Sequence, residues 1–149
     1  MILSSIELLR RALADLARLE ELSLHVHRKK ILILDDEEAL RTLLAGMLEN
    51  EGYSVHAMES KLEACNWVIA NRPELIISDI NSPGMNGFQS LKWMKANPVA
   101  ANIPLMFVTG LSDPKTALEA KKLGAADCLF KSYNIVDLLL RIREVLGEK

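Results

Sequence analysis

No stretch of the sequence approaches about 18 uninterrupted apolar residues, so no membrane-spanning helix is expected. Cysteine is scarce. Cys65 and Cys128 lie far apart, match no metal or redox spacing, and read as reduced thiols of a cytoplasmic protein. A surplus of one charge is also missing: 18 basic residues face 20 acidic ones, for a net charge of −2. Residues 1–30 hold six basic and four acidic residues, leaving the remainder at net −4. That distribution offers no electrostatic footprint for nucleic acid. Glu7, Arg10, Arg11 and Asp15 interrupt the apolar opening too early for a secretory signal, so export is not expected. What is present is 149 residues, 50% apolar and 26% charged. Such a chain folds as one domain, burying roughly 68–70% of its extended surface.

The first thirty residues differ from the rest. Ile2, Ile6, Leu9, Leu13 and Leu16 recur at steps of four and three, which predicts an amphipathic helix with a seam of about two heptads. Pairing with a second copy is the functional expectation; packing on its own domain is the structural one. Two heptads hold a dimer poorly without further contacts. His25 and His27 precede Arg28-Lys29-Lys30 and read as a polar linker, with metal binding an outside alternative. The division is thus 1–29, helix and basic linker, and 30–149, the main domain.

From Ile31 onward, short apolar runs alternate with helical patterns. Strands are expected over 31–34, 75–78 and 105–108, apolar enough to be buried on both faces. Weaker candidates over 53–58 and 127–130 belong nearer the sheet edges. Helices are expected near 38–50, 60–71, 87–96, 114–122 and 135–146. Glu49-Asn50-Glu51-Gly52 ends the first of these, Pro73 follows the second, and Asp113-Pro114 opens the fourth. Alternation of this kind predicts a parallel sheet covered on both sides, with its working site at the carboxyl ends of the strands.

Polar residues gather at those ends. The first strand runs into Asp35-Asp36, the third into Asp79, the fourth into Thr109, and the fifth delivers Lys131. Singly, each has a bland reading: Asp36 or Asp79 as a cap, Thr109 as a strand end, Lys131 as a solvated charge. Jointly, in this order, they describe one shallow pocket. Three adjacent carboxylates repel one another, and a divalent cation plus Lys131 brings their charge to zero. An all-oxygen ligand set favours Mg²⁺. A metal beside an exposed carboxylate suits that carboxylate to attack phosphorus.

With Asp79-Ile80-Asn81-Ser82-Pro83-Gly84-Met85-Asn86-Gly87, Thr109-Gly110, Gly124-Ala125-Ala126-Asp127 and Lys131, the chain resembles a response-regulator receiver domain of two-component signalling. The resemblance implies a flavodoxin-like, doubly wound (βα)5 sheet of order 2-1-3-4-5, here with an extra N-terminal helix. It implies that Asp79 accepts a phosphoryl group from a histidine kinase or phosphotransfer protein. Asp35, Asp36, Asp79 and the backbone carbonyl of Asn81 would bind Mg²⁺. Thr109 and Lys131 would hold the phosphoryl oxygens, Gly110 would leave a path for the donor's imidazole, and Pro83 and Gly87 would shape the loop. The implied protein is a switch and no enzyme beyond self-phosphorylation and slow autodephosphorylation. It would signal to a downstream protein that the sequence does not name.

Three positions depart from the family's pattern. Ser82 stands where an apolar residue precedes the proline. Ser132 follows Lys131 in place of a cis proline; a cis bond before a non-proline residue costs ~2.5–4 kcal/mol. Cys128 replaces the aromatic that moves with the threonine, so signalling is expected mainly through the threonine loop and the helix over 114–122. A degenerate receiver serving as a phosphorylation-independent docking or dimerisation scaffold is the alternative. A haloacid-dehalogenase type phosphatase is disfavoured, because Asp35-Asp36-Glu37 puts Glu where Asp-x-Asp is needed.

Overall fold

The computed structural model describes residues 4–81, 84–110 and 114–148, with backbone only for 23–27. Ser82, Pro83 and Asp113 lie outside the described residues, as do the side chains of His25 and His27. In chain order the elements are α1 Ser5–His27, β1 Lys30–Leu34, α2 Glu38–Asn50, β2 Ser54–Met58, α3 Lys61–Asn71 and β3 Leu75–Ser78. They continue with α4 Gly87–Ala96, β4 Leu105–Thr109, α5 Pro114–Lys122, β5 Asp127–Phe130 and α6 Ile135–Val145.

All strand pairings are parallel, in the order β2-β1-β3-β4-β5. The expected fold is therefore the observed one. Every residue of β3 and β4 is buried, which is why these strands read as unbroken apolar runs. β2 and β5 form the edges and are only partly covered, so their sequence signals are weaker. Successive residues of each strand feed opposite faces. Ile31, Ile33, Met106 and Val108 pack against Leu44 and Leu48 of α2 and Leu138 and Ile142 of α6. Leu32, Leu34 and Phe107 pack against Ala64 and Val68 of α3, Leu91 and Met94 of α4, and Ala120 of α5.

Local chemistry sets the turns. Gly52 ends α2 at φ 96°, a left-handed conformation that favours glycine. α4 opens with a capping box: Gln89 N donates to the Asn86 side chain and Asn86 N to that of Gln89, each over 2.9 Å.

The N-terminal segment departs from its expected extent. α1 continues through His27, so much of the stretch read as linker is helical. Ser4 caps the helix by accepting from Glu7 N at 3.2 Å. Every described side chain from Ser4 to Leu22 is exposed, including Ile6, Leu9, Leu13 and Leu16. Over residues 4–22 the described side chains are not covered by the domain. Among the described residues no helix is long and apolar enough to cross a membrane.

Candidate functional site

The parallel register brings the ends of β1, β3 and β4 to one edge of the sheet. Leu34 pairs with Ser78 and Ser78 with Phe107, so the residues following these strands converge. Asp79 N donates to Leu34 O at 2.9 Å, and Asp35 N to Met58 O at 3.3 Å, fixing each aspartate as the sheet ends. One carboxylate oxygen from each of Asp35, Asp36 and Asp79 lies within 4.8 Å of the other two. Asp35 and Asp79 are buried, while Asp36 is partly open.

Lys131 closes the cluster from β5. Its Nζ lies 3.4 Å from Asp35 Oδ2, 3.5 Å from Asp79 Oδ2 and 3.1 Å from Glu37 Oε1. The backbone N of Lys131 donates to Thr109 O at 2.7 Å, which ties the two residues together. Asp36, Asp79, Asn81, Thr109, Gly110 and Lys131 line one open cleft, with Glu37 at its rim. Among the described residues nothing lies within 4 Å of where a Cβ at Gly110 would stand. Asp36, Asp79, Asn81, Thr109, Gly110 and Lys131 thus border one cleft, and Asp35 belongs to the same carboxylate cluster.

The electrostatics are those of a crowded acid site. Burial raises the Asp79 carboxyl above its usual value; Lys131 opposes this and the neighbouring Asp35 adds to it. Ile80 N donates to Asp79 Oδ1 at 2.7 Å and holds the side chain's orientation. Burial alone would lower the Lys131 ammonium, but Glu37, Asp79 and Asp35 together keep it above its ordinary value.

The loop after Asp79 returns close to the site. Gly87 N donates to Ile80 O at 2.6 Å. A Cβ at Gly87 would meet Asp79 O at 2.7 Å and both Ile80 Cα and Phe107 Cε1 at 2.8 Å. Glycine is required here by close approach, whereas its torsion angles would admit other residues.

A match to the family model of the response regulator receiver domain spans residues 31–143. The chain belongs to this family. Sporulation initiation phosphotransferase F of Bacillus subtilis is 32% identical over 121 residues, covering 81% of this chain and 96% of that protein. The phosphate regulon regulator PhoB of Pseudomonas aeruginosa is 29% identical over 118 residues, 79% of this chain but 52% of that regulator. The chain thus spans nearly all of the first relative and about half of the second. The chemotaxis response regulator CheY4 of Vibrio cholerae superposes with a TM-score of 0.74 at 30% identity, over 79% of this chain and 98% of that one.

Within the receiver, Cys128 pairs with Phe107 across the sheet and packs on the α3–α5 face. Burial, then the nearby Asp127, raises its thiol above the usual range. Phe107 instead makes an edge contact with Phe88 of α4, centroids 5.7 Å apart. Among the described residues no peptide bond is cis, so the Lys131–Ser132 bond is trans.

Three further residues at the site were not singled out in the sequence. Glu37 meets Lys131, and Arg41 Nη1 donates to Asp35 O at 2.6 Å. Lys61 is 2% exposed and interacts with all three aspartates. Glu37 was legible as a third acid after Asp35-Asp36. Lys61 was legible only through its spacing to Ala64 and Val68, the buried stripe of α3.

Proposed function

We propose that this receiver is a phosphorylation-driven switch whose acceptor is Asp79, loaded by a histidine kinase or histidine phosphotransfer protein. The observation carrying this reading is the cluster of three carboxylates within 4.8 Å with Lys131 held across two of them. Receivers bind Mg²⁺ at an acidic pocket, and three hard oxygen donors at the mouth of a cleft fit that ion. Asp35, Asp36, Asp79 and the Asn81 carbonyl would hold it. Bound there, it neutralises charge on the phosphoryl oxygens.

The protein's own part is positioning. An Asp79 oxygen attacks phosphorus, the bond from phosphorus to the donor's imidazole nitrogen breaks, and the imidazole leaves with the electron pair and takes a proton. Lys131 pairs with one phosphoryl oxygen and the Thr109 hydroxyl donates to another. Thr109 is only 1% exposed, so meeting the phosphoryl group moves its loop, which is the readable change. Downstream, an unidentified protein reads that surface, and Cys128 leaves the loop bearing Thr109 and α5 as the principal route.

The exposed apolar face of α1 fits a second copy of this chain. Ile6, Leu9, Leu13 and Leu16 repeat at heptad spacing and are exposed. A homodimer through α1 is part of the same reading.

Incubation with Mg²⁺ and a small phosphodonor tests the switch. Wild type gains one phosphoryl mass, Asp79→Asn gains none, and chelation of Mg²⁺ abolishes labelling. No labelling of wild type under any condition overturns the reading in favour of a phosphorylation-independent scaffold.

A further inference from the structure

Lys61 is the least expected side chain of the site. It begins α3, directly after the Ser60 cap, where Glu63 N donates to Ser60 Oγ at 3.2 Å. A cation at a helix N-terminus opposes the helix dipole. This one is also 98% removed from solvent, because it extends the buried stripe of Ala64 and Val68 toward the sheet's carboxyl edge. Both placements are unfavourable for an ammonium unless acids compensate. The compensating acids are those of the site. β2 ends beside β1, with Met58 paired to Leu34, so the turn into α3 brings Lys61 up to the cluster. Burial lowers its ammonium from the ordinary value, while Asp79, Asp36 and Asp35, in that order, pull it back up.

The charge tally then changes. With Lys131 alone, three carboxylates need two further positive charges, which Mg²⁺ supplies. With Lys61 included, the three carboxylates, the two ammonium groups and the ion sum to one positive charge, which the largely exposed Glu37 beside Lys131 offsets only in part. Replacing the Asp79 carboxylate by an acyl phosphate of about two negative charges adds one negative charge beside Lys61.

We propose that Lys61 is a resident cation of the acceptor site, one that weakens Mg²⁺ binding in the resting receiver and favours the phosphorylated form. This rests on the reading of Asp79 as acceptor and adds a positioning residue to it. Lys61 ties ion occupancy to phosphoryl transfer, because the same charge opposes the resting ion and favours the added phosphoryl group.

Calorimetric titration of the full chain with Mg²⁺ alone, followed by beryllofluoride at saturating Mg²⁺, separates the possibilities. Lys61→Met retains the apolar stem and removes the charge. It binds Mg²⁺ at least about tenfold more tightly than wild type and beryllofluoride about tenfold more weakly, as a neighbouring charge in a largely buried site demands. Lys61→Arg keeps wild-type values within about threefold. Circular dichroism verifies folding, and Lys61→Gln replaces the Met variant if that one is unfolded. Unchanged or weaker Mg²⁺ binding by the neutral variant overturns the proposal, as does unaltered beryllofluoride affinity. Failure of wild type itself to bind Mg²⁺ overturns instead the reading of the acid cluster.

Discussion

Replacing Gly87 by alanine adds one methyl group where the backbone has no room for it. Its Cβ would stand 2.7 Å from Asp79 O and 2.8 Å from Ile80 Cα, both of them backbone atoms that no rotamer change can withdraw. The third neighbour, Phe107 Cε1 at 2.8 Å, belongs to a ring already packed edge-on to Phe88. Overpacking of this kind costs ~1–3 kcal/mol. Alanine's better helix propensity returns up to about 1 kcal/mol, less at the first helical position. The net loss is ~1–2 kcal/mol, and at about 2–4 °C per kcal/mol for a chain of this size the melting temperature falls by roughly 2–8 °C. Because the relieving motion displaces Asp79 itself, beryllofluoride binding at saturating Mg²⁺ falls as well. Thermal denaturation and a beryllofluoride titration on the same preparation read both effects. An alanine variant equal to wild type in both would refute the claim that close approach at Gly87 positions the acceptor.

Asp79→Asn stabilises the metal-free protein. Since the folded-state carboxyl is raised by burial above its ordinary 3.8, ionised Asp79 opposes folding at neutral pH. The advantage of Asn is full above that raised value and fades as pH falls toward the ordinary one, which denaturant melts in chelator across acid pH will register; a gap that widens on acidification contradicts it. Leu9→Lys with Leu13→Lys on α1 yields monomers by sedimentation equilibrium, whereas an oligomeric state identical to wild type removes the dimer. Cys128→Tyr restores a bulky group under the Thr109 loop and enlarges the structural change on beryllofluoride binding, measured by amide exchange over α5. An exchange pattern unaltered by the tyrosine rules out the weakened coupling assigned to Cys128.

How far the sequence disclosed this arrangement depends on burial. The strands β1, β3 and β4 are covered on both faces, so their runs of apolar residues made them readable, β3 to the residue. β2 and β5 are edges with one partner each, and alternate residues there are free to be polar, as His56 and Asp127 are. For α1 the heptad spacing marked the helix but not its end, because an exposed helix has no packing boundary to write into sequence. Asp35, Asp36, Asp79, Thr109 and Lys131 stood out because a parallel sheet forces consecutive strand ends together. Lys61 did not. A lysine one residue past a cap reads as a solvated helix start, and only the register of α3 against the sheet turns it inward. Arg41 was hidden for another reason: its contact is to the carbonyl of Asp35, an atom common to every residue.

The account stands on Asp79 as the site of modification. Proteolysis of the protein after labelling with a small phosphodonor and Mg²⁺, trapping of the acyl phosphate by reduction, and mass-spectrometric sequencing will locate the modified side chain. The account predicts a single modified residue, Asp79. A label on Asp35, on Asp36 or outside the cleft would contradict it.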